Sequence, residues 1–362
     1  MTFFLVSLIV SLVVTLLVIR SSERHQHLSA DHDLDGPQKF HSLAVPRIGG
    51  VGVSMALVAG ALMAQLTQSP LAPSLWLLLA AALPAFAAGL MEDLTKNVSP
   101  TKRLCATAVS AALAGWWLDA VIRRTDIPGV DQLVGLSFGA IALTILVVAG
   151  VANAINIIDG FNGLASMCVL IMLLALAYVG LQLGDRLVVT MALISAGAVL
   201  GFFVWNFPAG LIFLGDGGAY LLGFLVAELG VLTIVRNPGV SPLFPLLLCA
   251  YPIFETIFTI YRRQLKGTSP SHPDGIHLHS LVHRRLIRPL LHESPEQNLR
   301  KRNSMTSPYL WLLCSQSVIP AVLWFRDTAM LACFIGLFMV SYMVAYWSIV
   351  RFKVPHWLVA RH

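Results

Sequence analysis

Eleven stretches of this chain read as apolar runs long enough to cross a lipid bilayer, and nothing else in it limits the fold as much. A spanning helix needs about 20 apolar residues, and in hydrocarbon every backbone polar group must find its partner within the segment. The runs lie at about 2–19, 48–67, 74–91, 104–120, 135–152, 163–182, 187–205, 217–235, 242–261, 309–325 and 328–350. With 57% hydrophobic and 12% charged residues among 362, and a mean hydropathy of +0.78, too little polar surface remains for a water-soluble protein of this size. The predicted fold is all-α: one polytopic membrane domain over 1–362, with about 11 transmembrane helices and a long polar loop at 262–308. The first run lacks a preceding basic residue and a following small-residue cleavage site, so it reads as an uncleaved span. Five cysteines sit singly in apolar runs, which suggests buried small side chains rather than a disulfide or metal framework.

Lysine and arginine in the connections orient such a chain. With the N-terminus outside, the inner connections hold Lys39 and Arg47, then Lys96, Lys102 and Arg103, then the stretch from Arg262 to Arg302. The outer ones hold Arg123, Arg124, Arg186, Arg236 and Arg326, and the C-terminus falls inside. The basic residues are thus topological signals and make no case for nucleic acid, despite a net charge of +6. This orientation places every polar motif on the cytoplasmic face: 36–50, 92–103, 153–163, 206–218 and 262–303. Unrelated turns would divide between both faces, so five on one face predict a site at a membrane surface.

The residue types in these connections suit phosphate and metal chemistry. In "MEDLTKN", Glu92 and Asp93 are adjacent acids with Lys96 beyond them. Adjacent carboxylates repel unless a cation or proton intervenes, and Mg²⁺ takes one or two carboxylates plus phosphate oxygens. In "FLGDGGAYLLGF", Asp216 stands among Gly215, Gly217 and Gly218 just before an apolar helix, where glycines let backbone approach a phosphate. In "ANAINIIDGFNGLA", Asn153, Asn156 and Asp159 are three apart and share a helix face, offering directed donors and acceptors for a base or ribose. The loop "YRRQLKGTSPSHPDGIHLHSLVHRRL" carries Arg262, Arg263 and Lys266, positioned to meet phosphates, and His277 and His279, suited to a diphosphate or sugar or to proton handling; a zinc site lacks an obvious third soft ligand. Lys39, His41, Arg47, Gly49 and Gly50 in the first connection can bring positive charge and a close backbone to the same site. Glu228 and Glu255 lie inside apolar spans, where acids are costly and have a role; Glu255, two turns before Arg262 and Arg263, is placed to orient that pair or to meet a neighbouring helix.

Together the motifs resemble the polyprenyl-phosphate N-acetylhexosamine-1-phosphate transferases, the undecaprenyl-phosphate N-acetylglucosamine-1-phosphate transferase branch in particular. These are integral membrane enzymes related to phospho-N-acetylmuramoyl-pentapeptide transferase. The resemblance runs from about Lys39 to Arg285. Its double-acid motif with a following lysine is similar to "EDLTK". Its Asn-x-x-Asn-x-x-Asp-Gly motif is matched by Asn153, Asn156, Asp159 and Gly160, and its Gly-Asp-x-Gly motif by Gly215, Asp216 and Gly218. Its basic and histidine loop is matched by the His-x-His pair at His277 and His279.

The resemblance implies transfer of a HexNAc-1-phosphate, GlcNAc-1-phosphate first among the options, from a UDP-sugar to undecaprenyl phosphate with release of UMP, at the start of a lipid-linked envelope glycan such as O-antigen or capsule. It implies Mg²⁺ as cofactor, with Mn²⁺ as the alternative ion, a multi-pass location in the bacterial inner membrane, and a homodimer. It makes Glu92, Asp93 and Asp216 the catalytic acids and Asp216 and Asp93 the metal ligands. Lys96, Asn156, Asp159, Arg263, His277 and His279 become nucleotide and sugar contacts. The chain departs from the family in having Glu92 for a first Asp, Asn162 for a second Asp, and Ser280 where relatives often have a third histidine. The reading from another class is a transporter or lipid flippase with a cytoplasmic gate; unmatched halves and a scarcity of mid-bilayer acids argue against it.

Overall fold

The computed structural model describes residues 1–21, 45–265, 276–287 and 295–351, and among these the chain is helical without strands. In order the helices are α1 Thr2–Arg20, α2 Gly49–Leu66, α3 Ala72–Thr95, α4 Pro100–Leu118, the short α5 Val130–Val134, α6 Ser137–Ile158, α7 Leu164–Leu183, α8 Arg186–Asn206, α9 Gly215–Arg236, α10 Leu243–Leu248, α11 Ala250–Leu265, α12 Leu278–Val282, α13 Pro295–Leu323 and α14 Thr328–Val350. A π-helical turn, His283–Ile287, follows α12.

Eight of these helices, α1, α2, α3, α6, α7, α8, α9 and α14, are long and apolar enough to cross a membrane. The other three predicted runs are placed differently. The fourth lies on α4. The ninth is broken between Leu248 and Ala250, with Pro252 in the first turn of α11, where its missing N–H leaves no helical bond unmade. The tenth is only the second half of α13, whose first half is polar.

α1 shows how the bundle relates to its solvent. Ser7, Ser11 and Thr15, four apart, are its buried residues, while Leu5, Ile9, Val13 and Leu17 face outward. Ser11 Oγ donates to the Ala198 carbonyl at 2.6 Å. A Cβ on Gly60 or Gly201 would meet Ser7 Oγ at 2.8 Å or Ser11 Cβ at 2.7 Å. Small residues inside and large apolar ones outside is the arrangement of helices packed in lipid. The chain is a multi-pass membrane protein.

α9 is the axis of the bundle: every residue from Gly215 to Ile234 is buried, with α2, α3, α6 and α7 packed around it. Polar pairings gather at its two ends. At and beyond its C-terminus, Arg236 Nε donates to Asp185 at 2.8 Å, Arg124 to the Val240 carbonyl at 2.6 Å, and Thr328 lies 2.7 Å from Ser241. Its N-terminus receives the C-terminal ends of α3 and α6 and the N-terminal ends of α2 and α4, which carry the sequence motifs.

Candidate active site

α9 opens at Gly215 with φ +74°, a left-handed conformation that glycine adopts freely, and a Cβ there would run into the Arg47 carbonyl and Asp93. The first N–H groups of a helix have no partner within it. Here Asp93, at the end of α3, supplies one: Oδ1 accepts from Asp216 N at 2.8 Å and Oδ2 from Gly217 N at 2.9 Å. Asp93 is 4% exposed, so both bonds are shielded from water. Asp216 is therefore not the cap of its own helix; it lies in the first turn, where the helix dipole favours a negative charge. The surrounding glycines serve helix packing. A Cβ on Gly89 would meet Asp216 backbone at 2.6 Å, and one on Gly50 would strike Gly218. The sequence suggested glycines that admit a phosphate; the structure uses them to let α2 and α3 close on α9.

Asp216 is the meeting point of four segments. Asn156 Nδ2, at the end of α6, donates to Oδ1 at 2.9 Å. Arg103, from the first turn of α4, forms an ion pair with Oδ2, and Arg47 Nη2 stands 3.9 Å from Oδ1. The Arg103 guanidinium lies over the Tyr220 ring, 5.7 Å from its centroid, and Tyr220 donates its hydroxyl proton to Asn153 Oδ1 at 3.0 Å. Both motif asparagines thus have defined tasks, and an aromatic face supports the arginine.

Asp159 follows the last turn of α6 and joins the same charge cluster: it repels Asp93, and Arg47 attracts both. Burial pushes the Asp159 carboxyl up to about 7, with Arg47 pulling the other way. Such a group is bound to its proton more tightly in the folded protein than in the unfolded chain, so it lowers stability as pH rises between about 4 and 7. Asp159→Asn should therefore match the parent's thermal stability near pH 4 and exceed it at pH 8, a difference readable from melting curves at the two pH values.

The histidine loop closes on this corner. A Cβ on Gly160 would sit 3.3 Å from His279 Nε2. The rings of His277 and His279 stack, 5.0 Å apart and 11° from parallel, which the extended backbone at His277 allows. Phe161 lies 5.6 Å from the His279 ring and 5.2 Å from that of His283. Burial, with His277 beside it, drives His279 down to about 3 against the opposing pull of Glu255, so the ring is neutral at physiological pH. Its Nδ1 is buried without a partner.

The remaining predicted residues are placed as follows. Glu92 accepts from Val98 N at 2.7 Å and shapes the turn after α3; Lys96, in the left-handed conformation that ends that helix, is exposed. Arg263 is buried on the face of α11 that also carries Glu255 and Thr259. Lys39 and His41 lie outside the described residues. Ser280 is buried in α12. Asn162 faces α13: Asn303 Oδ1 accepts its N–H at 2.7 Å and Ser307 donates to its carbonyl at 2.6 Å. Its side-chain amide points at the Pro208 carbonyl and Ser304 Oγ, 3.4 Å from each. Asn162→Asp would aim a buried carboxylate at that carbonyl, so it should cost about 1–3 kcal/mol of stability and bring no gain in turnover, measurable as a lowered Tm at unchanged or reduced rate. The residues that sequence reasoning passed over are Arg103, read as a topological signal, and Tyr220. Arg103 had left a trace: a cation in the first turn of a helix opposes the dipole and calls for an acid partner.

A divalent ion suits this centre by donor chemistry. Asp93, Asp216 and the Asn156 amide are hard oxygen donors on adjoining segments. Among the described residues no group of three or more acid, histidine or cysteine side chains surrounds one point. Mg²⁺ needs only one or two carboxylates when phosphates complete its shell. The guanidinium against Asp216 Oδ2 shows that the carboxylate accepts a cation on that side.

Comparison with known proteins gives concordant matches. The sequence pattern of glycosyl transferase family 4 matches residues 75–234, which include Asp93, Arg103, Asn156, Asp159 and Asp216. A probable undecaprenyl-phosphate N-acetylglucosaminyl 1-phosphate transferase of Bacillus subtilis is 29% identical over 277 residues, 76% of this chain and 75% of its own. The undecaprenyl-phosphate alpha-N-acetylglucosaminyl 1-phosphate transferase of Thermotoga maritima is 29% identical over 258 residues, covering 70% and 74%. A decaprenyl-phosphate N-acetylglucosaminephosphotransferase of Mycolicibacterium smegmatis is 31% identical over 270 residues, covering 66% and 65%.

Proposed function

We propose that this chain, whose residues 75–234 match the pattern of glycosyl transferase family 4, transfers N-acetylglucosamine 1-phosphate from its UDP-sugar to undecaprenyl phosphate, releasing UMP. The observation that carries this reading is the convergence on Asp216 of Asn156, Arg103 and Arg47, with Asp93 bonded to the same helix turn. Such a centre gathers positive charge and oxygen donors where two phosphates must be held against their mutual repulsion.

In the reaction, an oxygen of the lipid phosphate attacks the β-phosphorus of the UDP-sugar. The bond from that phosphorus to the bridging oxygen breaks, and the electron pair leaves with UMP. Asp216 and Asp93 would hold a bound Mg²⁺, whose charge would offset that of the phosphates. Arg47 and Arg103 add fixed positive charge beside it, worth more in a dry site than in water. Asn153 and Asn156 are tied to Tyr220 and Asp216 and so keep the motif face rigid. Asp159, Lys96, Arg263, His277 and His279 contact the nucleotide and sugar, while Lys39 and His41 meet the lipid phosphate. The lysine and arginine bias of the connections supports a site on the cytoplasmic face of the bacterial inner membrane, with the N-terminus outside and the C-terminus inside. Such a site suits a reaction between a soluble nucleotide and a bilayer lipid.

The test is incubation of purified protein with undecaprenyl phosphate, Mg²⁺ and a panel of UDP-HexNAc donors, following UMP and lipid-linked product. UMP formation with UDP-GlcNAc, dependent on the lipid phosphate and abolished by EDTA, is expected. Lipid movement across vesicles without UMP would overturn the assignment.

A further inference from the structure

Glu255 belongs to no motif, yet it is completely buried and takes three hydrogen-bond donors from two other parts of the chain. With Thr259 and Arg263 it forms a row four residues apart on the buried face of α11. Tyr342, on the last helix, donates its hydroxyl proton to Glu255 Oε2 at 2.7 Å. The Leu278 N–H donates to Oε1 at 3.0 Å, and His277 Nδ1 lies 3.1 Å from the same oxygen. Thr259 Oγ1 is 3.2 Å from that Nδ1.

The chemistry of these partners fixes a proton. A carboxylate accepts only, so the proton shared with His277 sits on Nδ1, and Thr259 serves as a second acceptor there. The other ring nitrogen, Nε2, is thereby left to whatever the loop binds. The imidazole plane is set as well, by the Nδ1 bond on its edge and by the stack with His279 on its face. The Tyr342 hydroxyl is itself held by packing: its ring meets Phe254 edge-on at 4.9 Å and Phe258 at 5.6 Å. An aromatic cluster of α11 and α14 thus locks a tyrosine, the tyrosine locks a carboxylate, and the carboxylate orients a histidine that stacks on His279, the ring beside Gly160.

We propose that Glu255 is a positioning residue for the transfer reaction: anchored by Tyr342 of the last helix, it fixes the tautomer and orientation of His277 so that Nε2 is presented to the sugar diphosphate. The substrate in that statement rests on the function proposed above; the hydrogen-bond device does not. Through it, the C-terminal helix, which carries no motif of its own, becomes part of the active site's support.

The test uses full-length protein in nanodiscs with ring-¹⁵N-labelled histidine, the His277 signals being those lost in His277→Gln. The parent should show the Nδ1–H tautomer, and Glu255→Leu should shift it toward Nε2–H. Glu255→Gln, which keeps an acceptor oxygen, should retain it. In turnover, Glu255→Leu should lose about 30- to 100-fold, Glu255→Gln less than about tenfold, and Tyr342→Phe about 3- to 10-fold. In the His277→Gln background each further loss should shrink below about threefold, since a residue acting through His277 has nothing left to act on. A merely structural role would give additive losses. Additive losses, or an unchanged tautomer in Glu255→Leu, would overturn the proposal; should Glu255→Leu fail to fold, Tyr342→Phe and Glu255→Gln decide by the same cycle. Absence of UMP formation by the parent would count against the proposed function, while the nitrogen signals still judge the hydrogen-bond device.

Discussion

Turnover of the Asp216→Asn variant should fall by about a thousandfold or more while the protein remains folded and monodisperse. The substitution keeps size and shape and leaves an amide oxygen for Asn156 Nδ2, so the local hydrogen bonding survives. What it removes is the negative charge that Arg103 and Arg47 face from two other segments. Without it the guanidiniums lose their anchor, and the proposed Mg²⁺ loses its main ligand. Initial rates of UMP release, measured beside a size-exclusion profile, separate lost chemistry from lost fold. A residual rate within tenfold of the parent would remove Asp216 from the catalytic role.

Asp93 should behave differently, because the same carboxylate holds the fold and serves the site. Both of its oxygens are committed to the first N–H groups of α9, a burial depth at which an unmade bond is expensive. Asp93→Asn turns one acceptor into a donor aimed at a backbone N–H. It should cost about 1–3 kcal/mol of stability as well as about a hundredfold or more in turnover. Asp93→Ala loses the cap altogether and should be poorly recovered from membranes. Thermal unfolding of the detergent-solubilised variants, read with turnover per folded molecule, distinguishes the two losses. An Asp93→Asn protein as stable as the parent would contradict the capping role, and one as active would contradict the catalytic one.

The parts of this molecule that depend on local pattern were legible in its sequence. Eight of the eleven apolar runs correspond to helices long and apolar enough to cross a membrane, since hydrocarbon forces each run to satisfy itself. The convergence of the motifs on one end of the bundle was also expected, and Asp93, Asn156 and Asp216 meet there. What depends on partners from elsewhere in the chain was not legible. Arg103 looks like any basic residue at a membrane boundary until α4 is placed against α9. The glycines beside Asp216 suit either a phosphate or a neighbouring helix, and only packing decides. The polar start of α13 is invisible to hydropathy, yet its Asn303, Ser304 and Ser307 hold the Asn162 loop in place. For Glu255 the sequence left two options, the arginines after it or a neighbouring helix; its donors are Tyr342 of the last helix with His277 and Leu278 of the loop, which no local pattern could name.

The central claim is that acids on separate helices share one divalent ion with the sugar diphosphate. Its most direct measurement is Mn²⁺ binding by electron paramagnetic resonance, on purified protein with UDP-GlcNAc present. The prediction is one protein-bound Mn²⁺ per chain, displaced by excess Mg²⁺, with affinity lost in Asp216→Asn and weakened in Asp93→Asn. Equal Mn²⁺ binding by the parent and both variants would contradict it.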